Sequence, residues 1–104
     1  ISLRVPGEPE HFLVKADNLL MEQVTASNLV KYDLDGRQVG TSAFKASPAA
    51  YNLHAAVLQA RPDIHAAVHT HTPANLAVSA QQQGLLPLTQ QAMRFYGRIA
   101  RYPN

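Results

Sequence analysis

A chain of 104 residues that is 46% apolar, 15% charged and carries a formal net charge of +2 can bury a core as one domain or part of one. No block of Lys and Arg and no aromatic-interleaved basic stripe is present, which argues against a nucleic-acid surface. Cysteine is absent, so there is no disulfide framework or thiolate chemistry, and any metal site must use His, carboxylate or water. The apolar stretches fall far short of the ~20 residues that span a bilayer, so the chain reads as soluble, cytoplasmic and not a membrane protein.

Two short strands are predicted first, over Ile1–Val5 and Phe12–Val14, joined by the turn Pro6-Gly7-Glu8-Pro9. Thr25-Ala26-Ser27-Asn28 offers an N-cap and a short helical turn before a strand over Leu29–Leu34. Asp35-Gly36 makes a tight turn from which Arg37–Gly40 can pair back. Ser47 is a candidate N-cap with Pro48 at the first helical position, opening a helix through Ala60. Leu53, Ala56, Val57 and Ala60 form an apolar stripe along it. Arg61-Pro62-Asp63 ends the helix, and Ile64–His71 reads as a strand. Thr72-Pro73 caps a second helix, Ala74–Gln82, which Gly84 stops. After the apolar Leu85–Leu88, Thr89 caps a third helix to about Tyr96, and a short strand is expected over Arg98–Tyr102. The order predicts an α/β (α+β layered) domain with a mostly antiparallel central sheet flanked by helices. Ile1 is not Met and already opens a strand, and nothing closes the chain after Arg101, so both ends read as cut from something longer.

The chemistry concentrates in Val68-His69-Thr70-His71-Thr72-Pro73. Side chains alternate along a strand, so His69 and His71 would point the same way, ~6.5–7 Å apart along it. From there two imidazoles can converge on one cation at about 2.0–2.1 Å per bond. The spacing alone also fits two partly exposed strand histidines, and it is the flanking sequence that favours ligands.

The run Arg61-Pro62-Asp63-Ile64-His65-Ala66-Ala67-Val68-His69-Thr70-His71-Thr72-Pro73 resembles the central motif of class II aldolases and adducins: a helix ending in Arg-Pro-Asp, then a buried strand with His-x-His. Ile1-Ser2-Leu3-Arg4 resembles the stretch after the family's Gly-Asn loop. Val24–Lys31 and Asp33-Leu34-Asp35-Gly36 resemble the segment before the long helix. Ala77-Val78-Ser79-Ala80 and Gly84-Leu85-Leu86-Pro87-Leu88 are similar to the adducin-type branch and its bacterial relatives. Residues 1–104 thus resemble a single, partial class II aldolase/adducin-like domain.

The resemblance implies a metal-dependent lyase, with zinc as the divalent metal, that cleaves or condenses a small hydroxy-carbonyl substrate. It also implies a homo-oligomer, typically a cyclic tetramer with sites between subunits. His69 and His71 map onto two of the three histidine ligands of the family, and the third falls outside this chain. The general acid/base of the family is a Glu four residues before a helix histidine that corresponds to His54, which puts it at Ala50. Alanine cannot transfer a proton, and no Asp or Glu lies between Gly40 and Pro62, so no catalytic residue is assigned. The phosphate-binding positions map to Asp17, Asn18, Pro48 and Ala49, and an Asp there would repel a phosphate dianion, which disfavours a phosphorylated substrate. An adducin-like domain kept for binding or assembly, with its chemistry lost, is the alternative. His54 reads as a buried, hydrogen-bonded histidine or as support for the metal site. His65 reads as an exposed strand-start residue, His11 as solvent-facing, Thr70 as a β-branched strand residue, and Tyr96 and Tyr102 as core or interface packing.

Overall fold

The computed structural model describes residues 1–101. They divide between two compact units, one of Ile1–His69 and one that begins at Thr70.

The first unit holds an antiparallel four-stranded sheet in the order β3-β2-β1-β4, with β1 at Ser2–Val5, β2 at Glu8–Val14, β3 at Val30–Asp33 and β4 at Ala66–Ala67. β1 and β2 join through Pro6-Gly7, where Gly7 takes φ 78°, the conformation required after a turn-initiating proline. β2 begins four residues earlier than predicted, at Glu8 rather than Phe12. The register slips between Arg4 and Val5, from Arg4↔Phe12 to Val5↔Glu8, and Pro9 sits in that irregular stretch. Two 3₁₀ turns, Met21–Gln23 and Ala26–Asn28, lead to β3. The predicted pairing back after Asp35-Gly36 is present as a bridge between Tyr32 and Gln38.

Helix α1, Pro48–Ala60, begins as the sequence predicts: Ser47 Oγ accepts from the Ala50 amide and Pro48 occupies the first turn. Its orientation differs from the prediction. Leu53 and Val57 are 46% and 38% exposed, whereas His54, Ala55 and Leu58 are buried and Tyr51 packs against the core. An Ala-rich helix carries two stripes at the same spacing, and packing chose the one at 51, 54, 55 and 58. The core joins Phe12, Val14, Val30 and Tyr32 of the sheet to Ala55 and Leu58 of α1.

β1 inverts the usual pattern. Ser2 and Arg4 face inward and are buried, while Leu3 is exposed. Arg4 survives burial because its guanidinium donates to main-chain oxygens: to Leu58 at 2.8 Å, Ile64 at 3.2 Å and Arg61 at 3.4 Å, and to Pro9 as well. Its own amide donates to the His65 carbonyl at 2.7 Å. One side chain thereby ties the end of α1 to the hairpin and to the approach to β4.

The second unit contains α2, Pro73–Ser79, and α3, Gln90–Met93, capped by the hydroxyls of Thr72 and Thr89. Both helices are shorter than predicted, and Arg98–Arg101 is not a strand; the remainder of that predicted strand, Tyr102, lies outside the described residues. Tyr96, read as core or interface packing, is exposed, as are Met93 and Phe95. Among the described residues no helix is long and apolar enough to cross a membrane.

Candidate functional site

Of the strand predicted over Ile64–His71, only Ala66–Ala67 is strand. In its register with β1, Ala67 opposes Ser2 and Ala66 opposes Leu3. His69 follows β4 by two residues and is exposed, as is His71. His69 closes the first unit, and His71, in the second, precedes the N-cap Thr72 by one residue. Thr70 is not a strand residue; its Oγ1 accepts from Asn75 Nδ2 at 2.9 Å.

The turn that delivers β4 is held by the Arg-Pro-Asp motif itself. Arg61 Nε and Nη2 donate to the two oxygens of Asp63 at 2.7 and 2.6 Å, a forked clamp across the corner between α1 and β4. That clamp draws the Asp63 carboxyl down to about 2. The pair is exposed, so its stabilising effect is small and its use is to shape the turn.

On the helix side stands His54, 4% exposed. Its Nδ1 lies 2.8 Å from Ser2 Oγ, a hydrogen bond between residues 52 apart in sequence. Burial pushes the imidazole below its ordinary value, and His69 acts in the same direction. His54 is therefore the buried, hydrogen-bonded histidine expected. Ala50, one turn earlier on α1, is half-buried. His65 is exposed and stands just before β4, as expected. His11 is only partly covered, and its Nδ1 meets Glu8 Oε2 at 2.7 Å. Glu8 is held below its ordinary value by Lys31 and His11. Sequence reasoning missed Ser2 and Arg4, because alternation on β1 gives the inward face to Leu3 and Val5; only the cross-strand register reveals the opposite.

Among the described residues no group of three or more His, Cys, Asp or Glu comes together to hold a metal ion. Imidazole is a good donor for a borderline cation such as zinc, so the chemistry of His69 and His71 suits one. Two donors fall short of the three protein ligands usual at a catalytic zinc. The second unit also carries an open cleft of about 740 Å³, whose lining includes Thr70, Thr72, Asn75, Val78, Leu85 and Phe95.

The model of the class II aldolase and adducin N-terminal domain matches residues 1–104, and the chain belongs to that family. It is 46% identical over 93 residues to a provisionally named aldolase class 2 protein of Pseudomonas aeruginosa, covering 89% of this chain and 36% of that one. It is 41% identical over 104 residues to rat beta-adducin, covering 98% of this chain and 14% of the other. A solved structure of an aldolase II superfamily protein from Pseudomonas syringae superposes with a TM-score of 0.84 at 49% identity, covering 93% of this chain and 39% of that one. The chain thus spans well under half the length of these relatives.

Proposed function

We propose that the full protein is a metal-dependent lyase of the class II aldolase type, and that His69 and His71 supply two of the ligands to a divalent ion, zinc by preference. The observation that carries this reading is the His-x-His pair that begins six residues after Asp63 of the Arg61–Asp63 clamp, in a chain whose relatives include both aldolase-type proteins and adducins. The remaining donor has to come from residues outside this sequence or from a neighbouring subunit. An ion held there would act as a Lewis acid on the carbonyl and hydroxyl oxygens of a small substrate. Thr70, Thr72 and Asn75 offer neutral hydrogen-bonding groups suited to a hydroxylated compound in the cleft of the second unit, which Arg101 also lines. Asp17 at a phosphate-binding position of the family favours an unphosphorylated substrate. The exposed Leu53 and Val57 on α1 and Leu88 and Tyr96 in the second unit support burial of apolar surface against other segments or subunits, consistent with a homo-oligomeric, cytoplasmic enzyme.

Zinc content of the full protein tests the reading. It predicts about one zinc per chain, lost on replacing His69 or His71 by Ala with the fold retained. A wild-type protein that holds no stoichiometric zinc would overturn it.

A second reading, an adducin-like domain kept for assembly, is favoured by one residue. Ala50 occupies the position of the family's proton-transferring Glu, and no carboxylate lies nearby in sequence. Aldol turnover by the unmodified full protein would exclude it.

A further inference from the structure

We propose that Ser2 and His54 form a positioning pair that fixes the orientation of His69; the inference rests on the reading of His69 as a metal ligand. Three elements meet at this pair. Ser2 lies on β1 directly opposite Ala67 of β4, two residues before His69. His54 lies on α1, and α1 packs against β4. The 2.8 Å bond from Ser2 Oγ to His54 Nδ1 therefore pins the helix to the sheet at the register position from which the His69 segment departs.

The bond joins two polar side chains that are 1% and 4% exposed. Burial of an imidazole and a hydroxyl is unfavourable unless each finds a partner, and an aliphatic pair would pack there without that demand. A polar pair at such a place gives direction, since a hydrogen bond has an angular requirement that a methyl contact lacks. Ser2 sets the ring plane of His54, and the bonded pair holds helix and sheet together at the paired position two residues before His69. Outer groups that orient a ligating histidine typically affect metal affinity by about 10–100-fold when lost. Neither residue touches substrate in this scheme.

The test uses the full protein, with zinc alone as the probe. Ser2→Ala is compared with the wild type and with Ser2→Thr, which keeps the hydroxyl. Two quantities are read: zinc affinity by competition with a chromophoric chelator, and the ring nitrogen resonances of His69 in the metal-free protein at pH 8. The proposal expects Ser2→Ala to lower zinc affinity about 10-fold or more and to shift the His69 resonances, with Ser2→Thr restoring both. A variant that loses only thermal stability, with affinity and His69 resonances unchanged, overturns it. Where Ser2→Ala does not fold, Ser2→Cys, close in size and a weaker hydrogen-bond partner, is read in its place by the same criteria. If the wild type takes up no zinc, the lyase reading fails separately and the His69 resonances alone decide: a shift in Ser2→Ala upholds the positioning role, and none overturns it.

Discussion

Tyr32 and Tyr51 stack with ring centroids 4.6 Å apart and planes 17° from parallel. Tyr32 belongs to β3 and Tyr51 to the first half of α1, so the stack fixes where the helix crosses the sheet. It is held on its far side by Phe12, 6.2 Å from Tyr32, and the Tyr32 hydroxyl accepts from the Ala46 amide at 3.2 Å just before the helix begins.

The turn after β3 is fitted closely against this stack. Gly36 has φ 79°, and a Cβ there would come within 3.3 Å of the Tyr51 ring and 3.2 Å of Asn52 Oδ1. Gly36→Ala should therefore cost more than about 1 kcal/mol, through left-handed backbone strain and crowding together. Gly7→Ala meets nothing within 4 Å at a similar φ, so it should show the backbone part alone. Urea unfolding of both variants separates the two contributions; equal losses would mean that the turn does not press on Tyr51.

The orientation of α1 gives a second contrast. Leu58 is fully buried in the core, so Leu58→Ala should destabilise by about 2–5 kcal/mol. Leu53→Ala, on the outward stripe, should cost at least about 2 kcal/mol less. The reverse order in chemical denaturation would show that the helix packs through 53 and 57.

His54 makes stability depend on pH. Its folded imidazole is held below its ordinary value, chiefly by burial, so between about pH 6.5 and the lower folded value the unfolded chain binds a proton that the folded chain does not. Its contribution is therefore fully present above about pH 6.5 and declines as the pH falls through that value. Urea midpoints measured from pH 8 to pH 5 should fall, and the slope should diminish in His54→Gln. An unchanged slope in that variant would assign the effect to other groups.

Ala50→Glu reaches the catalytic question directly. Position 50 lies in the first turn of α1, where a carboxylate is favoured by the helix N-terminus, so the substitution should not damage the fold. If the remaining machinery is intact, a restored proton-transfer group should raise aldol cleavage by the full protein about 10²–10⁴-fold. Activity seen only in this variant would favour the assembly reading, and no gain over an active wild type would mean that another group already transfers the proton.

Local signals carried much of the fold. Ser47, Thr72 and Thr89 cap helices because a hydroxyl bonding to an amide three residues on is decided within one turn of chain. The Asp35-Gly36 turn and the Ala26–Asn28 turn are legible for the same reason. What could not be read depends on partners far along the chain. The stripe containing Tyr51 and His54 looks less apolar than the one containing Leu53 and Val57 until Ser2, 52 residues away, satisfies the imidazole. The two-residue length of β4 is a matter of its pairing with β1, which the local sequence does not display. For the site, the His-x-His spacing and the Arg-Pro-Asp corner were legible. The buried Ser2 and Arg4 were not, since β1 turns its polar residues inward.

The ties of Arg4 end on main-chain oxygens of Pro9, Leu58, Arg61 and Ile64, none of which depends on a side chain. What this cluster asks of those four positions is a place in space, so the Arg4 bonds alone leave their residue types open to drift. The guanidinium has no such latitude: a lysine ammonium presents a compact point charge instead of a planar fork, and a methionine offers nothing to the Leu58 carbonyl, whose buried oxygen would cost about 1–3 kcal/mol without a donor. A saturation scan should find Arg4 intolerant even of lysine, a keystone whose abutments are made of backbone.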